Sequence, residues 1–423
     1  MDTIHPLQLG TDSGCNVDLR EAKALEIAAR CRLIFDKGVW LVPSQSGNGV
    51  YRVTLSSGNS TCTCEDFALR AESCKHILAA RLVQERDHGG KAPVIDTDVL
   101  PKKKSSKQDW PAYDEAQTTE KHRFQVLLYD LVQGIEEPPA PKVGRRPHSL
   151  RDMVFACAFK VYSTFSSRRF HCDLQDAHTR GYLSRLIPGR KVNAFLENEA
   201  LTPILKALIV RSALPLKAVE TAFAPDSSGF STSRHVRWFD EKYGAYKSGR
   251  DWVKAHAIFG TKTNIATAVE IADRDAADCP MFKPLVETTA QNFTVEKVPA
   301  DKAYLSVANL ELVAGMGGTA FVPFKINSTA GEAGSLWEKM YHYYQYRREE
   351  FLLHYHQRSN AESTFHALKK KFGDSVRSKL PDAQLNEVLL KCVCFNLSVL
   401  VHAIHELNIE PKFWMPQSTG GAS

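Results

Sequence analysis

With 423 residues, 43% of them hydrophobic and 24% charged, the chain has the make-up of a folded protein of about two or three domains. That excludes a disordered or fibrous polymer. Its net charge of +6 admits a polyanionic partner without demanding one.

No apolar run reaches the ~20 residues that cross a bilayer. The best stretches, at 204–210 and 397–404, are interrupted by Lys206 and His402. The opening Met-Asp-Thr-Ile-His-Pro lacks the pattern of a secretory signal. No membrane association is expected, and the expected compartment is a reducing cytoplasm. The 10 cysteines then read as thiols or metal ligands rather than disulfides.

In chain order, residues 18–37 carry Leu19, Ala22, Leu25, Ala28 and Ala29 at helical spacing and predict a helix. Residues 39–42 and 50–55 read as strands around a Pro43/Ser-Gly-Asn-Gly turn. A helix is predicted from His76 to Arg86. Between them, Cys62-x-Cys64 and Cys74-x-His76 supply three thiolates and an imidazole within 15 residues. Two ligands leave a strand end and two open a helix, a pattern suited to one closed tetrahedral Zn²⁺ site. The bland alternative is four unpaired residues in a small core. The set and its flanks, Tyr51-Arg-Val-Thr-Leu55 and Lys75-His76-Ile77-Leu78, resemble the SWIM zinc finger, a module that binds nucleic acid or protein.

Residues 87–117 read as a linker. Its lysines, Lys102, Lys103, Lys104 and Lys107, are either simply solvated or a phosphate-contacting tether. A helix is expected over 118–134, then a Glu-Glu-Pro-Pro-Ala-Pro break. The segment Gly144-Arg145-Arg146-Pro147 leads to Ser149, a candidate N-cap for an amphipathic helix over 150–165. Two or three helices follow within 174–214. From 217 to 325 the pattern is mixed, with strands predicted at 218–224, 252–259, 267–272, 293–298 and 319–324 and helices at 280–291 and 306–315. The glycine cluster Gly315-Met-Gly317-Gly318 reads as a strand-entry turn. Residues 335–408 are again helical. Cys392 and Cys394 lie on this last stretch too far apart around the helix to chelate together, and core packing is their expected role. The sum is an α/β layer.

Three isolated carboxylates stand out in that C-terminal half. Asp226 follows an apolar stretch, Asp301 closes another, and Glu362 lies in a helical run. Two acids at strand ends and one on a helix are what a nuclease needs to hold a pair of magnesium ions. Each has a plainer reading: Asp226 as a turn residue, Asp301 as a helix cap, Glu362 as part of a solvated face. On one continuous helix Tyr355, Arg358, Glu362 and Lys369 share a narrow polar stripe. Such a stripe offers an acceptor to a metal and cations to phosphate.

The match to Tyr-x2-Arg-x3-Glu-x6-Lys at these four residues carries a resemblance to bacterial insertion-sequence transposases of the DDE class. So do Ala300-Asp301-Lys302-Ala303-Tyr304-Leu305-Ser306, Lys370-Lys371-Phe372-Gly373-Asp374 and Gly144-Arg145-Arg146-Pro147. The resemblance spans residues 144–414. It implies an RNase H-like catalytic core behind a helical N-terminal block and a small ββα zinc module. The boundaries expected are a zinc-finger module at 1–86, a linker at 87–117, a helical DNA-binding region at 118–214 and a DDE catalytic domain at 215–415.

It further implies metal-dependent cleavage of the element's DNA ends and strand transfer into a target. Asp226, Asp301 and Glu362 would hold two Mg²⁺ ions, with Mn²⁺ as a substitute, and Tyr355, Arg358 and Lys369 would contact DNA phosphate. The implied partners are double-stranded DNA, both terminal inverted repeats and target, and a second copy of the chain on that DNA, in a bacterial nucleoid. Other readings are a stand-alone nuclease on the same fold and a domesticated zinc protein that binds DNA without cutting. Relatives with this signature can carry a β-rich insertion before the Glu, but the Asp301–Glu362 interval is nearly filled by one strand and helices.

Overall fold

The computed structural model describes residues 19–44, 49–56, 59–87, 109–139, 142–144, 146–232, 252–273, 275–325 and 327–414. The lysine run 102–107 and Arg145 lie outside them. The chain forms two compact units, Met1–Lys107 and Gln108–Ser423.

In the first unit, helix α1 (Leu19–Arg30) stops well short of residue 37, and strand β1 (Ile34–Asp36) follows. The helical spacing of small residues ends at Ala29, and the Lys37–Gly38 turn, with φ of 49° and 86°, forces the chain back as a hairpin. Strands β2 (Val39–Pro43), β3 (Val50–Thr54) and β4 (Thr61–Cys62) complete an antiparallel sheet in the order β1-β2-β3-β4. Helices α2 (Glu65–Arg70) and α3 (Lys75–Asp87) follow. The unit is thus richer than the expected ββα module, with two further short strands and two further helices. Ile27, Val42, Val53, Ile77 and Ala80 form its core.

In the second unit, α4 (Trp110–Val132) begins eight residues before the expected helix start at 118, so the linker reading reached too far. Asp109 accepts a hydrogen bond from the Ala112 amide and Pro111 sits in the first turn, a strong start signal. Helix α5 (Leu150–Ser163) opens as expected on Ser149, whose hydroxyl accepts from the Asp152 amide. Helices α6 (Phe170–Thr179), α7 (Gly189–Leu196) and α8 (Leu201–Ala213) complete the helical block.

Strand β5 is Phe223–Ser231, later than the predicted 218–224, so Asp226 lies within a strand rather than beyond its end. It pairs antiparallel with β6 (Trp252–Gly260), which pairs with β7 (Ala266–Ala272). Helix α9 (Phe282–Ala290) leads to β8 (Lys297–Pro299), and α10 (Val307–Gly315) to β9 (Thr319–Phe321), parallel to β8. A parallel bridge between Ala222 and Lys297 sets β8 beside β5. Taken together, the strand order is β7-β6-β5-β8-β9. Gly318 is obligatory at the entry to β9, because an added Cβ would lie 2.3 Å from the Val295 carbonyl oxygen.

Helices α11 (Leu336–Tyr346), α12 (Arg348–Tyr355), α13 (Ser359–Phe372) and α14 (Pro381–Glu406) complete the unit. Between Asp301 and Glu362 the described residues hold one strand and helices, with no β-rich insertion. Helix α14 is long and apolar enough to cross a membrane, but most of its apolar stretch is packed inside the unit, as a core helix is. Cys392 and Cys394 are fully buried there.

Candidate functional site

The first unit gathers Cys62, Cys64, Cys74 and His76 so that one ligand atom from each lies within 4.8 Å of the others. Strand β4 delivers Cys62. Cys64 caps α2, its sulfur accepting from the Phe67 amide at 3.3 Å. Cys74 and His76 come from the start of α3. His76 turns Nδ1 inward, 3.9 Å from both Cys62 Sγ and Cys74 Sγ. Ligands of a tetrahedral Zn²⁺ would stand about 3.6 Å apart, so the four fit that ion. All four are buried, and the ring of Tyr51 lies 4.4 Å from that of His76. Hydrogen bonding among the thiols pulls Cys74 down to about 3 and pushes Cys62 up, so a thiolate is already favoured in the cluster.

The carboxylates belong to the second unit. Side chains alternate across a strand, so Asp226 shares a face with Ala224, which pairs with Phe259. Phe259 packs edge-on against Phe365 of α13. That is the helix carrying Glu362, and Asp226 and Glu362 therefore address one side of the sheet. Burial pushes the Asp226 carboxyl up to about 6, with Glu362 and Asp278 adding repulsion and Arg358 opposing it.

Asp301 follows β8 and caps the short turn Lys302–Tyr304, one oxygen accepting from the Lys302 amide at 2.6 Å. The capping role weighed for it is real. The Glu362 carboxylate is 55% exposed and is engaged by Arg358 at 2.7 Å. Arg358 also feels the charge of Asp301, and its guanidinium lies 5.8 Å from the Tyr355 ring. Arg358 is thus the common neighbour of all three acids. Among the described residues, the carboxylate oxygens do not close to the 4.8 Å spacing of the Cys/His cluster.

The polar stripe is bent. A 3-10 turn, His356–Arg358, separates Tyr355 at the end of α12 from Glu362 in α13. Lys369 is half-buried, donates to the Gly229 carbonyl at 2.8 Å and lies 5.1 Å from the Phe230 ring. It therefore ties α13 to the strand that carries Asp226.

Further neighbours were not singled out from the sequence. Asp278 pairs with Lys254 at 2.8 Å and lies 3.5 Å from Nδ1 of the buried His256. Although burial works against its charge, hydrogen bonds from Lys254 and Ser227 hold its carboxyl below the usual range. Ser227 pairs with His256 and Gly229 with Lys254. By strand alternation this cluster backs the sheet behind Asp226. Tyr304 is 2% exposed, and its hydroxyl finds no hydrogen-bond partner among the described residues. Burial first, then Asp278, Asp226 and Asp301, push its ionisation up. Only the turn-like residues around Asp278 marked it in the sequence.

Comparison with known families matches residues 217–397 to the transposase DDE domain and residues 51–82 to the SWIM zinc finger. No curated protein and no solved structure matches the chain. The first match contains all three acids and the second all four zinc-type ligands, and the chain therefore carries a transposase DDE domain preceded by a SWIM zinc finger.

Proposed function

We propose that the protein is a DDE transposase that cleaves the ends of an insertion sequence and transfers them into target DNA. The observation that carries this reading is the shared charge coupling of Asp226, Asp301 and Glu362 to Arg358 within the transposase-matching segment. The strand order β7-β6-β5-β8-β9, with Asp226 on the central strand and Asp301 just past its parallel neighbour, supports an RNase H-like core.

The donor set suits a hard divalent cation, since all three ligands are carboxylates and a cation would offset the burial that raises Asp226. Asp226, Asp301 and Glu362 would together hold two Mg²⁺ ions. When bound, the pair stabilises the attacking and leaving oxygens of an in-line displacement at phosphorus. Glu362 turns from Arg358 to take up this role. The freed guanidinium then clamps a phosphate oxygen, and Tyr355 beside it packs against the cleaved strand. Lys369 and the Asp278 cluster keep β5 and α13 in register. Zinc, held by Cys62, Cys64, Cys74 and His76, stabilises a module that contacts DNA or a protein partner. Joining two ends calls for two copies on the DNA.

The test is an assay with DNA ends taken from either side of the coding region. Wild-type protein in Mg²⁺ is expected to release the 3′ ends and join them to a plasmid, whereas Asp226→Asn does neither. Cleavage without joining selects the stand-alone nuclease. No cleavage by the wild type leaves a DNA-binding zinc protein.

A further inference from the structure

A second concave site lies beyond the carboxylates in the same unit, and its chemistry is that of a nucleotide. It is a cavity of about 460 Å³, lined by Lys160, Phe165, Arg377, Lys379, Glu387 and Lys391 among others. That volume falls in the usual range of a small-ligand pocket, about 300–1,000 Å³.

Its cations, Lys160, Arg377, Lys379 and Lys391, outnumber its anions, the exposed Glu197 and the buried Glu387. Glu387 has both oxygens occupied, by the Arg377 and Ser378 amides and the Ser378 hydroxyl at 2.8–3.0 Å. Lys391 is buried and spends its ammonium on the Gly373 and Ser375 carbonyls. Lys160 and Arg377 both donate to the carbonyl of Phe165 and so are held close together. Burial and the nearby Arg377 push the Lys160 ammonium below its usual range. An ammonium and a guanidinium carry several N–H donors each, and Lys379 adds another exposed cation at the rim. An anion placed among them relieves that repulsion. Beside them Phe165 is 47% exposed, a large aromatic ring left open at the mouth of a cationic cavity.

The cavity is wired to the catalytic elements. Phe372, the last residue of α13, lines it. The adjoining segment bonds the end of β5, with Ser231 N donating to Asp374 O at 3.0 Å and Val376 N to Ser231 O at 2.9 Å. Glu362 and Phe372 are ten residues apart on one helix, roughly 15 Å along its axis. Five residues of strand separate Asp226 from Ser231, roughly 17 Å. A strand whose phosphate lies at the carboxylates reaches the cavity a few nucleotides further on.

We propose that this cavity binds one unpaired nucleotide of the DNA strand, its base stacked on Phe165 and its phosphate among Lys160, Arg377 and Lys379. The proposal rests on the reading of the protein as a DNA-processing enzyme. A base must be unpaired to stack on a side chain, so the site favours DNA that is frayed or single-stranded near the end.

The experiment uses the full-length, zinc-loaded chain without Mg²⁺ and two fluorescent probes, a blunt 20-base-pair duplex and the same duplex with a four-thymidine tail. The wild type is expected to prefer the tailed probe. Phe165→Ala should remove about tenfold of that preference and leave blunt binding unchanged, because stacking on one aromatic side chain carries this order of affinity. Phe165→Trp should retain it, with indole fluorescence quenched by the tail alone. Lys379→Gln should weaken tailed binding and flatten its salt dependence. Equal tail preference in Phe165→Ala and wild type overturns the nucleotide site while leaving the transposase reading intact. Failure of the wild type to bind either probe overturns both. A third arm adds free thymidine monophosphate. If it quenches Phe165→Trp when the tail does not, the cavity serves a free nucleotide and the strand assignment is wrong.

Discussion

Arg358 holds Glu362 at 2.7 Å across one turn of helix, so the one acid of the site exposed to solvent already has a cationic partner. On the proposed function Arg358 stands in for the metal: the guanidinium that neutralises Glu362 before DNA and Mg²⁺ arrive would be released to phosphate once they do. Arg358→Gln should cost no more than about 1–2 kcal/mol of stability, because Glu362, the partner left behind, is 55% exposed and stays solvated. It should nonetheless slow end cleavage by about 100-fold or more, the scale of losing one charge-stabilising donor. The Mn²⁺ concentration for half-saturation should fall, because the competitor for Glu362 is gone. A rise in that concentration would show that Arg358 organises the metal site instead of occupying it.

Asp226 gives a pH signature. Its carboxyl is raised from 3.8 to about 6, chiefly by burial. A raised carboxyl favours folding while neutral, and that contribution fades as pH climbs through the folded value. Without Mg²⁺, Asp226→Asn should therefore stabilise the second unit at pH 8 by on the order of 2–3 kcal/mol, with the gain shrinking by about half at pH 5. Urea melts at the two pH values measure it. A gain independent of pH would mean that Asp226 is not desolvated as described.

Asp278 is a positioning residue. Its ties to Lys254 and Ser227 brace the strand from behind Asp226. Asp278→Asn should weaken Mn²⁺ affinity by about 10–100-fold, as loss of an outer partner of a ligand does. The KM for DNA should stay unchanged. A matching drop in melting temperature with unaltered metal affinity would reduce its role to packing.

Removal of zinc should act on one unit. A high-affinity chelator should abolish amide protection over the described residues 49–87 and leave that of the helical block and the β5–β9 strands in place. Cys74→Ser should do the same without chelator. Structural zinc supplies much of the folding free energy of so small a module, so persistence of protection after complete metal loss would contradict the assignment.

Much of this was legible in the sequence where chemistry is local. Ser149 was readable as a cap because a hydroxyl before an amphipathic run has one use, and the Cys/His spacing fixes its own geometry. What misled was tertiary. The helix expected over 18–37 ends at Arg30, because the hairpin turn at Lys37–Gly38 draws residues 34–36 into a strand. Asp226 sits inside its strand because sheet pairing with Ala257 extends β5 through Ser-Ser-Gly, residues with little strand preference of their own. The straight stripe from Tyr355 to Lys369 ignored the 3-10 turn, which sets Tyr355 on a separate helix from Glu362. Asp278, Lys254 and Tyr304 were invisible as a group because only the register of β5 on β6 and the path of the chain after β7 bring them together.

The central claim is that Asp226, Asp301 and Glu362 ligate one pair of divalent ions. Calorimetric titration of Mn²⁺ into the zinc-loaded protein bound to its DNA end measures this directly. The account predicts two ions per chain for the wild type, none for Asp226→Asn, and one lost in each of Asp301→Asn and Glu362→Gln, with all four proteins equally folded. Two ions bound to Asp226→Asn with unchanged affinity would contradict it.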